Sequence, residues 1–252
     1  MRFSPRHTGI PPLYWRAGFY LPWLLLSALL LPLSATADEE VERIHGPDWI
    51  PVGTVSPAVE RRAVETRARL ESRSPTMQRQ ALGMIRTDIE TYGRTSMRLA
   101  ATPLVVDLLG LEYRILETPA GYGVDTPTRL LALQVLADLG GEPARQQIRE
   151  SVLIDSDETV RASAAELLAH APGSDPHADF HTVSDALFQA VRRREGEQEV
   201  LRLMNSAERL SHRVWNPEYA PLLEALVQIS AGGYSSSIRR RAMSFLEDLS
   251  ER

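Results

Sequence analysis

Between Asp155 and His170 the sequence DSDETVRASAAELLAH sets Val160, Ala164, Leu167 and Leu168 at helical spacing, so that one apolar stripe runs along an otherwise polar segment. Asp155 and Asp157 stand where such a helix begins. An acidic side chain there accepts hydrogen bonds from the unpaired backbone N–H groups and complements the helix dipole. Ala164 and Ala165 are small enough for a neighbouring helix to approach closely. Arg161 lies beside the stripe, with a stem that can run along it and a head free to pair. A helix with a stripe of this kind cannot bury it alone, so the segment predicts packed neighbours.

The same period recurs on both sides. Ser56-Pro57 and Ser74-Pro75 each supply a cap followed by a residue already at helical φ. The first helix is charged from Glu60 to Glu71 and is expected to expose most of its circumference. The second carries Met77, Ala81, Ile85, Ile89 and Tyr92 on one face and stops at Gly93. Residues 95–117 are the most apolar part of the chain after the N-terminal region, with Leu104, Val105, Leu108, Leu109, Leu111 and Ile115. Pro103 is expected to kink or split this helix, because it lacks the N–H that an interior turn requires. A loop at 118–127 leads to helices at 127–139 and 143–153, separated by Gly140-Gly141. After the central segment, APGSDPHADFH reads as a proline-rich connection. Helices at 182–195 and 197–211 follow, then one opened by Pro217 or Pro221 and ended by Gly232-Gly233, and a last from Ser236 to Leu249. No stretch alternates as a strand would, so the expected class is all-α.

An Asp, five residues to a Val, then an Arg, an Ala three on and an aliphatic three beyond resembles the second helix of a HEAT repeat, of the armadillo-type α-solenoid class. The matching residues are Asp155, Val160, Arg161, Ala164 and Leu167. Partial echoes occur at Met77, Ala81, Met84 and Ile85; at Arg129, Ala132, Val135 and Leu136; and at Ile238, Arg239, Ala242, Phe245 and Leu246. Arg129 and Arg161 lie 32 residues apart, and Val160 and Ile238 lie 78 apart, near two units of about 40. The resemblance implies an α-solenoid of about four or five helix pairs over residues 57–252. It also implies that Asp155 and Arg161 pair between successive repeats. Arg161, Arg129 and Arg239 mark one helix row, expected to be exposed, where these arginines either meet a partner or join repeats.

Composition narrows the chemistry. The chain has no cysteine, which removes disulfides, zinc-thiolate sites and thiol nucleophiles. Its 28 basic residues are all arginine, which removes Schiff-base chemistry, serine-lysine dyads and the phosphate loop ending in Gly-Lys. Residues 1–37 join Arg2, Arg6 and Arg16 to LPWLLLSALLLPLSATA and precede the acidic run Asp38, Glu39, Glu40. A basic front, an apolar middle and Ala35-Thr36-Ala37 have the form of an export signal cleaved after Ala37. An uncleaved inner-membrane anchor is the competing reading. Either places the remainder outside the cytoplasm, in the periplasm or secreted. Without those three arginines the formal charge moves from −5 to −8. Residues 38–56, with two prolines and two glycines, read as an extended lead-in.

Asp175, His177, Asp179 and His181 are the candidate metal ligands, since imidazole and carboxylate together hold zinc or a similar ion. An ordinary polar linker is the competing reading. Arg192-Arg193-Arg194 and Arg239-Arg240-Arg241 could grip phosphates, but an acidic exported chain is not expected to bind nucleic acid. Gly233-Tyr234-Ser235-Ser236-Ser237 lacks the second glycine of a nucleophile turn, so no catalytic residue and no cofactor is expected. The function these readings favour is a non-enzymatic scaffold contacting another protein in the cell envelope. The alternative is a metal-dependent hydrolase or metal-binding protein using the 175–181 segment.

Overall fold

The computed structural model describes residues 55–115, 124–171, 173, 175–214 and 219–251, with side chains left out at 111–115. Contacts divide the chain into units at Met1–Pro51 and Val52–Arg252, and every described residue belongs to the second. The signal segment at 1–37 and the lead-in up to residue 54 lie outside the described residues, as do most of the expected 118–127 loop and Pro217.

Among the described residues there are ten α-helices and no strand: α1 (Pro57–Leu70), α2 (Pro75–Tyr92), α3 (Arg94–Ile115), α4 (Thr126–Leu139), α5 (Glu142–Ile154), α6 (Glu158–His170), α7 (Pro176–Arg193), α8 (Glu197–Ser211), α9 (Ala220–Ala231) and α10 (Ser236–Ser250). Local chemistry fixes the starts. Ser56 Oγ accepts from the Val59 amide at 3.4 Å, Asp125 Oδ1 from that of Thr128 at 3.0 Å, and Asp157 Oδ1 from that of Thr159 at 2.8 Å. Gly93 and Gly140 end α2 and α4 at φ 84° and 66°, a conformation that costs an L side chain strain but glycine little.

Among the described residues every helix packs against the next but one, and against the next except for α8 with α9, and none touches a helix further along. The odd-numbered helices therefore form one row and the even-numbered helices a second. The segment that opens the sequence pattern is α6, which touches α4, α5, α7 and α8. Its Ala162, Ala164, Ala165 and Ala169 are all buried, as are Val160 and Leu168. Small residues on several faces are what let α6 take neighbours on several sides. Each fully buried Leu or Val contributes roughly 1.5–3 kcal/mol.

Three expectations are corrected. Residues 176–181 are the first turns of α7 and not part of a connection: Asp175 caps the Ala178 amide at 2.9 Å and Pro176 takes the first helical position, where its missing N–H costs nothing. α3 runs through Pro103 unsplit. Pro103 and Leu99 are both exposed, so water can reach the carbonyl that the proline leaves unpaired, while Ala101, Thr102, Leu104 and Val105 hold the helix from its buried side. Met77 and Tyr92 are exposed, and the packed face of α2 is Gln78, Ala81, Leu82, Ile85 and Asp88. The charged first helix does bury little, with Val59, Thr66 and Leu70 as its inner residues.

Candidate functional site

The even-numbered helices are joined at their N-terminal ends by a ladder of arginines and acids. In α2, Arg79 Nη1 donates to Asp125 Oδ2 at 2.7 Å, at the start of α4. In α4, Arg129 donates through Nη1 to the Val124 carbonyl at 3.1 Å. Its Nη2 lies 3.4 Å from Asp155 Oδ1 and 4.0 Å from Asp157 Oδ2, at the start of α6. In α6, Arg161 donates through Nη1 to the Asp155 carbonyl at 2.8 Å and through Nε to Glu199 Oε1 at 2.8 Å, and pairs with Glu195 through Nη2. In α8, Glu197 Oε1 accepts from the Ser235 amide at 2.7 Å, at the start of α10. An arginine fork can meet a carboxylate and a carbonyl together, which a lysine point charge does less well.

The other ends are tied as well. Arg86 of α2 meets Asp138 of α4 at 3.1 Å, Arg202 of α8 meets Glu166 of α6 at 2.7 Å, and Arg241 of α10 pairs with Glu208 of α8. In the odd row, Asp179 of α7 accepts from Arg145 Nε at 2.7 Å and Arg149 Nη1 at 3.0 Å, both from α5. Arg145 also reaches the carbonyls of Leu168 and Ala171 at 3.0 and 2.9 Å.

The expected Asp155–Arg161 pairing takes a different form. The Asp155 carboxylate faces Arg129 behind it, while Arg161 takes the Asp155 carbonyl and reaches forward to the glutamates. Arg129 and Arg161 are 5% and 9% exposed, so neither lies on an outer face. Arg239, at the same distance from its helix start, is exposed.

The four proposed metal ligands are not brought to one point. Asp175 caps α7, and Asp179 is wholly buried against Arg145 and Arg149. His177 and His181 are exposed on the opposite face, and the His181 ring stacks on Tyr219 with centroids 4.4 Å apart. In a helix the second position turns away, so alternate residues cannot converge. Among the described residues, the His and acid side chains whose ligand atoms do come within 4.8 Å of one another are Glu158, Glu195 and Glu199. There the Arg161 guanidinium already supplies the cation. Burial and the neighbouring Glu195 carboxyl push Glu199 up to about 7 against the pull of Arg161.

The pairing of Asp179 with Arg145 and Arg149, and that of Arg161 with Glu195 and Glu199, escape the sequence reading. A signal that could have found the ladder is an arginine four or five places after a helix cap: Arg79 after Ser74, Arg129 after Asp125, Arg161 after Asp157 and Arg239 after Ser235. No helix among the described residues is long and apolar enough to cross a membrane. No protein-family model matches the chain, and neither a curated protein nor a solved structure matches it.

Proposed function

We propose that residues 57–252 form a HEAT-like α-solenoid of five helix pairs, and that the chain is an exported, non-enzymatic scaffold for protein contacts, an accessory of an envelope complex. One observation carries the reading: among the described residues each helix packs only on helices one or two places away. A closed bundle brings first and last elements together, whereas a chain-ordered two-row stack leaves long faces on either side. The ladder from Arg79 to Ser235 supports it, since each rung joins successive members of one row.

The surface has the material for protein contact. Val64 of α1, Leu99 of α3, Leu153 and Ile154 of α5 and Val227 of α9 are exposed on the odd-numbered helices, and Met77 and Tyr92 of α2 and Met243 of α10 on the even-numbered ones. The placement outside the cytoplasm rests on the sequence of residues 1–37.

The test is a crosslinking capture from envelope fractions with the full chain. A partner that co-purifies, and is lost when Val64 and Leu99 are both changed to Glu, supports the scaffold. A chain whose N-terminus is not Asp38 and which stays in the cytoplasm, or which captures nothing, overturns it.

A further inference from the structure

Helices α4 and α8 bury the same two stripes, and α10 buries only one of them. Counted from the cap, positions 3, 7, 10 and 14 of α8 are Glu199, Leu203, Ser206 and Leu210, and positions 4, 8 and 11 are Val200, Met204 and Ala207; all are buried. In α4 the first set is Thr128, Ala132, Val135 and Leu139, and the second is Arg129, Leu133 and Leu136, again all buried. In α6 the second set, Arg161, Ala165 and Leu168, is likewise buried. In α10 the first set, Ile238, Ala242, Phe245 and Leu249, is buried, whereas Arg239 and Met243 of the second are exposed and Leu246 is only partly covered.

Each of these second stripes belongs to a helix that packs on the next even-numbered one, α4 on α6, α6 on α8 and α8 on α10. Where that stripe begins with an arginine, the covering helix starts with acids. Arg129 meets Asp155 and Asp157, and Arg161 meets Glu195 and Glu199. Among the described residues no helix covers α10 in this way. Its neighbours in sequence are otherwise engaged: Arg240 Nε donates to the Ser236 carbonyl at 3.3 Å, and Arg241 turns back to Glu208 of α8. Arg239 and Met243 point to the opposite side, two helical positions from Arg241 being about 200° around the axis.

From this shared register we propose that Arg239, Met243 and Leu246 of α10 are a docking face for a helix of a partner protein, one whose first turn carries a carboxylate. The partner helix lies as the next even-numbered helix would. Its acid meets the Arg239 guanidinium and its apolar stripe covers Met243 and Leu246. The proposal rests on the scaffold reading above and names where that scaffold is engaged.

The experiment places a photoreactive benzoyl-phenylalanine at position 243 of the full chain, in envelope preparations, and maps the crosslinked residue of whatever is captured. The expected product maps to a helix within two turns of an Asp or Glu. Arg239→Glu, an exposed change that spares the fold, lowers capture at least tenfold. Changing the mapped acid of the partner to Arg restores it. A crosslink to a non-helical segment, to a second copy of this chain, or one indifferent to Arg239→Glu overturns the docking face. The same probe at position 64 separates the failures. Capture there but not at 243 leaves the scaffold standing without this face, and capture at neither removes both.

Discussion

Arg129 of α4 and Asp155 at the start of α6 face each other across the contact between the two helices, Nη2 to Oδ1 at 3.4 Å, with both side chains almost wholly buried. Removing one partner strands a charge in the interior. Arg129→Ala is expected to cost about 3–5 kcal/mol in urea unfolding. Arg129→Met combined with Asp155→Leu recovers most of that loss, because the desolvated charges go together. A double change that costs as much as Arg129→Met and Asp155→Leu made singly and added together would show that the pair is not coupled.

In α7, Asp179 and His177 are two positions apart and are predicted to behave oppositely. Asp179 is fully buried under two arginines, so Asp179→Ala should cost on the order of 3–5 kcal/mol. His177 is exposed, and His177→Ala should stay within about 0.5 kcal/mol. Thermal unfolding of the two variants side by side measures both.

Glu199 makes stability depend on pH near neutrality. Its folded value, about 7, lies above the ordinary 4.5, so the folded chain holds a proton that the unfolded chain has released. The associated stability is present at low pH and is lost as pH rises from about 4.5 to about 7. Chemical denaturation at pH 5 and pH 8 should show the chain less stable at pH 8, by on the order of 1–3 kcal/mol. In Glu199→Gln that slope should vanish. Glu166 works in the opposite direction: the hydrogen bond from Arg202 holds it below its ordinary value against partial burial, and its contribution is lost only in acid.

Gly232 closes α9 in a place that has no room for a side chain. A Cβ there would lie 2.6 Å from the backbone carbonyl oxygen of Gln228, which cannot swing aside. Gly232→Ala is expected to lower stability by about 1–3 kcal/mol, read by thermal unfolding. Gly233→Ala, where nothing lies within 4 Å, serves as the control.

The sequence makes the helices legible where one residue does one job. Ser56 and Ser74 cap as their Ser-Pro pairs suggest, and Val160, Ala164 and Leu168 lie inward as their spacing requires. It misleads where the same residues suit two structures: Asp175-Pro176 is both loop composition and a well-formed helix start. The ladder is half legible. Arg129 and Arg161 stand out by position, but their acids come 26 to 38 residues later, and which acid is met depends on how two helices slide against each other. Periodicity within one helix carries no record of that register. It also cannot say that Met77, apolar and in phase, faces outward.

The order of the stack can be measured directly, because the chain has no cysteine and two can be placed at will. Val64→Cys on α1 and Val227→Cys on α9 are both exposed sites, 71% and 54%, at the first and fifth members of the odd row. With spin labels at both, pulsed electron paramagnetic resonance should report roughly 30–40 Å, four interaxial steps of about 8–10 Å each. A distance below about 20 Å would mean that α1 and α9 pack across a shared centre, and would contradict a two-row stack of helix pairs.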